Sequence, residues 1–195
     1  MLTPTTIRLA TRADIPALRA LIRASAHELS DGFYTPVQRD AAMEYVFGVD
    51  TTLIDDGTYF VVGAGSGADG VTMAGCGGWS KRRTLFGGDQ HKTMDDPLLD
   101  PRTDAARIRA FFVHPQHARR GIGGLLLQAC ASAAFDAGYR ALELMATLPG
   151  VPLYASYGFM AQEDVLERTP GGVTVPFVRM HRPLTSPALS RSARP

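Results

Sequence analysis

The sequence predicts a single domain of mixed α/β (α+β) class. Three observations lead there. Segments with alternating apolar residues and segments with helical apolar spacing succeed one another in the order β-α-α-β-β-β-α-β-α-β-β. One helix start carries a complete capping signal, Thr35-Pro36-Val37-Gln38. The apolar strand Arg107–Val113 stops at Pro115, and a glycine loop then leads directly into an apolar-periodic helix. With 195 residues the chain can build one sizeable core but not two ordinary domains.

The elements follow in order. Thr5-Thr6-Ile7-Arg8-Leu9-Ala10 alternates as a short strand. A helix from about Asp14 places Ile15, Leu18, Leu21 and Ile22 on one stripe. Leu29 to Tyr34 is a polar, glycine-containing connection. In the second helix Thr35 is the N-cap, Pro36 takes the first helical position and Gln38 closes the capping box. Val37, Ala41 and Tyr45 form its buried face, and Gly48 its stop. Thr58–Val62 and Val71–Trp79 read as two strands of a meander. Lys81 to Asp104 lacks periodicity and reads as a long surface loop, a kind of segment that is often functional. After the strand at Arg107–Val113, a helix from about Arg120 to Ala137 turns Ile122, Leu126, Ala129 and Ala133 inward and stops at Gly138. Arg140–Ala146 is a further strand, and Val165 to Leu184 supplies one or two more around a turn at Pro170-Gly171-Gly172. Residues 1–185 thus form the domain, and Ser186–Pro195, rich in Ser, Pro and Arg, reads as a disordered tail.

Composition excludes several classes. A formal net charge of +1 gives no electrostatic basis for nucleic acid or a membrane surface as partner. Met1-Leu2-Thr3-Pro4 lacks the charged region and apolar core of a signal peptide, and no apolar run approaches the roughly 18 residues of a membrane span. Cys76 and Cys130 lie in apolar, small-residue settings without metal-like spacing, so they read as buried free thiols. A cytoplasmic protein without a metal site is the expectation. Lys81-Arg82-Arg83 is the only concentrated basic run, and with nothing basic or aromatic around it, it reads as a solvated loop or as contact with an acidic substrate.

The chemistry begins at Val113-His114-Pro115-Gln116-His117-Ala118-Arg119-Arg120-Gly121-Ile122-Gly123-Gly124. A glycine loop at a helix start offers unpaired N–H groups at the positive end of the helix dipole, which suits a phosphate. Arg119 and Arg120 add charge. A Walker loop is excluded because no Lys-Ser or Lys-Thr follows, and a dinucleotide fingerprint because Leu126 stands where its third glycine belongs. Gly65 to Gly70 spells Gly-x-Gly-x-x-Gly, but it runs into another strand-like segment instead of a helix, so it reads as a flexible hairpin loop rather than a nicotinamide site.

What remains resembles the pyrophosphate loop of the GCN5-related N-acetyltransferase (GNAT) family, Gln/Arg-x-x-Gly-x-Gly/Ala at a helix start. Gly121 and Gly123 match its glycines, while Ala118 departs from its leading position. Leu153-Tyr154-Ala155-Ser156-Tyr157-Gly158-Phe159 is similar to the family's Tyr-x-x-x-Gly-Phe signature, one helix and one strand later. The resemblance covers about residues 5 to 184. It implies the acyl-CoA N-acyltransferase fold, a mixed, mostly antiparallel sheet of six or seven strands flanked by about four helices. It also implies acetyl-CoA as co-substrate and a small-molecule or peptide amine as acceptor, and leaves room for a homodimer. A non-catalytic acyl-CoA-binding domain of the same fold is the alternative.

The resemblance assigns roles by position. Phe111, Phe112 and Val113 would pair through their backbone with the pantetheine arm. Arg119, Arg120, Gly121, Ile122, Gly123 and Gly124 would cradle the pyrophosphate. Tyr154 holds the general-acid position for the departing thiolate, whereas Tyr157 reads as packing. Glu143, on the strand where relatives often carry a glutamate, is the candidate base, with a solvent-facing glutamate as the other reading. His114 and Asp104 are weaker candidates. Thr147 stands where relatives often have the pantetheine-binding Asn. Arg109 alternates onto the same strand face as Phe111 and Val113, where it would select an acidic substrate group or lie at the surface.

Overall fold

The computed structural model describes residues 5–65, 72–91 and 95–189. Its elements are β1 (Thr5–Leu9), α1 (Ile15–Glu28), α2 (Pro36–Tyr45), α3 (Thr51–Asp55), β2 (Tyr59–Ala64), β3 (Thr72–Ser80), β4 (Ala106–Val113), α4 (Ile122–Asp136), β5 (Ala141–Thr147), α5 (Val151–Ser156), β6 (Met160–Arg168) and β7 (Thr174–Pro183). The strands form one seven-stranded sheet in the order β1-β2-β3-β4-β5-β7-β6. Every neighbouring pair is antiparallel except β4 and β5, which run parallel. That one parallel pair needs a crossover, and α4 supplies it.

Local signals account for most helix ends. The Thr35 side chain accepts from the Gln38 backbone N–H at 3.3 Å, and Gln38 Oε1 accepts from the Thr35 N–H at 3.1 Å. Gly138 follows α4 at φ 98°, a left-handed stop that favours glycine. Two buried faces differ from expectation. In α2 the inward residues are Ala41 and Ala42, while Val37 is 62% exposed; this short helix rests on β7 and α1 with its small side chains. In α4 the inward face is broader than a single stripe and includes Leu127, Cys130, Ala131 and Ala134, leaving Ala129 and Ala133 half-buried. Helix α3 has no counterpart in the sequence reading. Five residues cannot display a period, and its one signal is Asp50, whose carboxylate caps the Leu53 N–H at 3.3 Å.

Helices α1, α2 and α3 cover one face of the sheet over Leu18, Ile22, Leu53, Val61 and Phe177. Helices α4 and α5 cover the other over Leu127, Leu144, Tyr154 and Met180. Cys76 and Cys130 are buried free thiols, one on each face. Strand β4 carries one extra residue between the faces. Cys76 pairs with Phe112 and Gly78 with Arg109, so Gly77 opposes both Ala110 and Phe111. Ala110 takes φ 53°, and this β-bulge reverses the alternation. Arg109 and Phe112 face the α1 side, while Phe111 and Val113 face the α4 side, so Arg109 does not share a face with Phe111 as simple alternation had it.

Residues 66–71, which hold most of the Gly-x-Gly-x-x-Gly segment, lie outside the described residues, but the strands flanking it pair antiparallel. At the C-terminal end, the Pro187 carbonyl accepts from Gln128 Nε2 at 2.8 Å, and the Leu189 N–H donates to Gln128 Oε1 at 2.5 Å. Residues 190–195 are outside the described set. No described helix is long and apolar enough to cross a membrane.

Burial pushes the Tyr34 phenol and the Cys76 thiol each up to about 12, and the Tyr59 phenol well above its ordinary value. The unfolded chain releases the Cys76 and Tyr34 protons from about pH 8.5 to 10, whereas the folded chain holds them until about 12, so their stabilisation is complete below that range and is lost as pH rises. The melting temperature should stay level from about pH 7 to 8.5 and fall progressively toward pH 11. Cys76→Ala, measured by the same melts, should show a shallower alkaline decline.

Candidate active site

Strands β4 and β5 are hydrogen-bonded only where Ala106–Ile108 run beside Leu142–Leu144. Beyond that point both strands continue, β4 to Val113 and β5 to Thr147, and they diverge into a fork. A cavity of about 70 Å³ lies in the fork, between Ile108–Phe112 on one wall and Met145 and Thr147 on the other. Phe86–Gly88 and Val46–Gly48 close it from the α1 side, so the long loop predicted after β3 does reach the site. A water occupies roughly 10–15 Å³ on this measure, so the space holds a few waters or one small acyl-sized group.

Tyr154, from α5, borders the same cavity. Its ring is set edge-on against Phe111 (centroids 6.2 Å apart) and Phe159 (5.8 Å). Burial, reinforced by the neighbouring Cys130, raises its phenol far above the ordinary tyrosine value. The hydroxyl therefore keeps its proton at neutral pH and can donate it or share it in a hydrogen bond. Helix α5 is held at this point by Tyr34, whose hydroxyl accepts from the Leu148 N–H and donates to the Pro176 carbonyl, each at 2.9 Å.

The free edge of β4 at Phe111–Val113 leads out of the fork toward the start of α4. No strand pairs with that edge, so its backbone groups are available to an extended ligand. Arg119 (φ 62°) and Arg120 are exposed, and Gly121 caps α4 at φ 86° with open space where a side chain would stand. The N–H groups of the first turn have no partner within the helix. Gly121 is needed for its conformation. The two glycines after it serve packing: a Cβ on Gly123 would come within 2.8 Å of Leu153, and one on Gly124 would overlap the Tyr157 hydroxyl. Tyr157 thus packs α5 onto α4.

Glu143 is neither at the cavity nor solvent-facing. It pairs with Arg107 in the closed part of the fork, is 6% exposed, and its two oxygens are taken by the Arg107 and Arg179 guanidinium groups. The expectation that it is the base is corrected on that ground, since a carboxylate clamped between two cations and removed from the cavity cannot reach an amine. His114 acts in a turn, its Nδ1 accepting from the Gln116 N–H at 3.3 Å, and Asp104 closes a loop by accepting from the Asp100 N–H at 2.8 Å. Arg82 is no free charge either, because its guanidinium forks onto Asp56. Among the described residues no group of His, Cys, Asp and Glu could hold a metal ion.

Arg109, read from the sequence as selecting an acidic substrate group or lying at the surface, is buried and paired with Asp50. Its side chain is 1% exposed, and Nη2 bonds Asp50 Oδ2 at 2.9 Å and the Gly87 carbonyl at 2.8 Å. The pair ties β4 to the start of α3 and to the Phe86–Gly88 loop. Asp50 preceding Thr51 and Thr52 was the only signal for it, and that signal marks a helix cap, not an ion pair.

The family model for the acetyltransferase (GNAT) family matches residues 23–159. The chain belongs to that family. Its fold is also that of solved GNAT structures. A GCN5-related N-acetyltransferase from Rhodopseudomonas palustris is 18% identical, with a TM-score of 0.66 over 94% of this chain and 99% of that one. The PaiA N-acetyltransferase from Thermoplasma acidophilum, solved in complex with coenzyme A, is 16% identical, with a TM-score of 0.57 over 92% and 99%. A putative acetyltransferase from Salmonella typhimurium, solved with its cofactor acetyl-CoA, is 17% identical, with a TM-score of 0.54 over 99% and 98%. No curated protein sequence matches the chain.

In this GNAT domain the fold brings Tyr154 and Phe111 together at the cavity and places Arg119, Arg120 and Gly121 along the exposed end of the same edge. Gly124→Val should lower stability by about 1–3 kcal/mol, because α5 must move to admit the side chain. Gly121→Ala meets no atoms and should cost only about 1 kcal/mol of backbone strain. Denaturant melts of both variants check the order.

Proposed function

We propose that this GNAT domain transfers an acetyl group from acetyl-CoA to a primary amine of a small molecule or peptide, by direct attack in a ternary complex. The observation that carries the reading is the fork: an unpaired β4 edge connects the Tyr154 cavity to a basic, glycine-capped helix start. These residues suit an acyl-CoA. The Phe111–Val113 edge would take the pantetheine arm as an added strand, and Gly121 to Gly124 with Arg119 and Arg120 would meet the pyrophosphate. Thr147, at the cavity wall, replaces the amide side chain expected there.

The thioester supplies an activated acetyl carbon. The acceptor nitrogen forms a bond to that carbon as the carbon–sulfur bond breaks, and the amine releases a proton while the thiolate gains one. Tyr154, held protonated by burial, would supply the second proton. Among the described residues no carboxylate borders the cavity, so in this reading the first proton leaves through water. The cavity, of about 70 Å³, has room for an acyl group of acetyl size.

Two experiments test the proposal. Acetyl-CoA at about 100 times its dissociation constant should add roughly 2.7 kcal/mol of stability. In the Arg119→Glu/Arg120→Glu double variant the affinity should drop at least about 10-fold, since charge-assisted contacts to phosphate become repulsion. An undiminished thermal shift in that variant would remove the phosphate assignment. The second experiment separates the enzyme from a non-catalytic acyl-CoA-binding domain. Free thiol released from acetyl-CoA, measured across an amine panel, should appear with an accepted amine and fall about 10²-fold in Tyr154→Phe, with CoA affinity unchanged. Equal turnover in Tyr154→Phe would show that the phenol plays no part in proton transfer.

A further inference from the structure

The two sides of the fork cavity differ in character. Tyr154 and Phe111 border it from the α4 side. On the α1 side the wall holds Phe47, Phe86, Phe112 and Phe177, four residues from four separate segments of the chain. Their rings form one continuous array. Phe112 meets Phe47 with centroids 5.8 Å apart, Phe47 meets Phe177 at 6.3 Å, and Phe177 meets Phe86 at 5.7 Å. Phe47 and Phe177 are buried, whereas Phe86 and Phe112 are half-buried. Backbone groups of this wall are already engaged. The Phe47 carbonyl accepts from Gln90 Nε2 at 2.7 Å, the Gly87 carbonyl from Arg109 Nη2 at 2.8 Å, and the Val46 carbonyl from the Gly88 N–H at 2.8 Å. Arg109 itself is paired with Asp50. A hydroxyl or a second ammonium brought against such a wall gives up hydrogen bonds to water and gains few in return, whereas an apolar group gains by leaving water.

We propose that the acceptor is an amine whose nitrogen stands one or two carbons from an aromatic or branched aliphatic group, and that the phenylalanine wall takes that group. The inference rests on the acetyltransferase reading above, in which Tyr154 serves the departing sulfur. The sulfur then lies toward the α4 side, and the amine reaches the acetyl carbon from the α1 side, against the rings. The enclosed space of about 70 Å³ is taken up by the acetyl and amine ends. Phe86, half-buried and carried by the loop between β3 and β4, is the ring that would give way to admit the larger group, and so would set the preference. An arylalkylamine and a peptide N-terminus with an apolar first side chain share this chemistry. Polyamines and amino sugars lack it.

Titration calorimetry on the complex of the full chain with CoA tests this without requiring turnover. The ligands are acetylated amines, which represent the product and leave the transferred group uncharged: the N-acetyl forms of 2-phenylethylamine, 3-methylbutylamine, phenylalaninamide, 1,4-diaminobutane and glucosamine. At least one of the first three should bind about 10-fold or more tightly than the last two, the range expected for burying one apolar side chain. Tighter binding of the phenylalaninamide form identifies a peptide N-terminus as the source, and tighter binding of the phenylethyl or methylbutyl form a simple amine. Phe86→Glu places a carboxylate on the wall and should reverse the order between the phenylethyl and diaminobutane forms while CoA affinity stays constant. If Phe86→Glu does not fold, Phe86→Ala takes its place, and the preference for the apolar ligands should narrow about 5-fold. The inference is overturned if the diamine or sugar form binds wild-type protein as tightly as the apolar ones. It is also overturned if no apolar form binds the CoA complex, or if the preference is unchanged in the Phe86 variant. Wild-type protein that fails to bind CoA would instead overturn the acetyltransferase reading.

Discussion

Ala110 sits at φ 53°, a conformation an alanine keeps only where its surroundings hold it. Here they do. Its carbonyl accepts from the buried Tyr59 hydroxyl at 3.3 Å and from the Cys76 thiol at 3.6 Å, while the Phe111 ring on the other face fills the space above Gly77. Tyr59 and Cys76 are both fully buried, so the bulge is fixed from within the α1-side core. The consequences run outward. One extra residue in β4 turns Phe111 toward Tyr154 and Phe112 toward Phe47, and β4 no longer tracks β5. The fork, the cavity and the unpaired edge all follow from that insertion.

A fork in a sheet exposes backbone and must be stabilised on both sides. Below it, where the strands still pair, Glu143 is gripped by Arg107 and Arg179, which joins β4, β5 and β7. At its mouth, Arg109 and Asp50 tie β4 to the α3 cap and the Phe86–Gly88 loop. Removing one member of the Arg109–Asp50 pair would leave an uncompensated buried charge, at a cost of about 3–5 kcal/mol. The two groups differ in what they leave over. Glu143 has both oxygens engaged, whereas Nε and Nη1 of Arg109 are buried without a hydrogen-bond partner.

Where local structure was written in contiguous residues, the sequence was sufficient. The Thr35 capping box, the glycine loop before α4 and the Tyr154 segment each depend on neighbours within a few positions, and each appears where expected. What escaped depended on partners far along the chain. The bulge has no signal, because alanine at 110 favours no left-handed backbone and only the opposing Gly77 and the Tyr59 contact place it there. Strict alternation then put Arg109 on the wrong face. Glu143 looked like a base because it stands on the right strand, but its role was decided by Arg179, which only sheet pairing brings alongside. Element order alone could not supply these cross-strand facts.

The glycines in the first turn of α4 serve two different ends. A phosphate-binding loop explains glycine as the absence of a side chain near the ligand. Gly121 fits that account, with open space beyond its Cα and a left-handed φ. Gly123 and Gly124 are buried instead, and they admit Leu153 and Tyr157 from α5. Helix α5 also carries Tyr154, so the close approach of α4 and α5 sets how far that phenol stands from the β4 edge. The glycines after Gly121 therefore set the position of Tyr154 at one remove. Widening the contact between the two helices would shift Tyr154 relative to Phe111 while leaving the exposed basic loop unchanged, so on the proposed function such a variant would lose turnover and keep CoA binding.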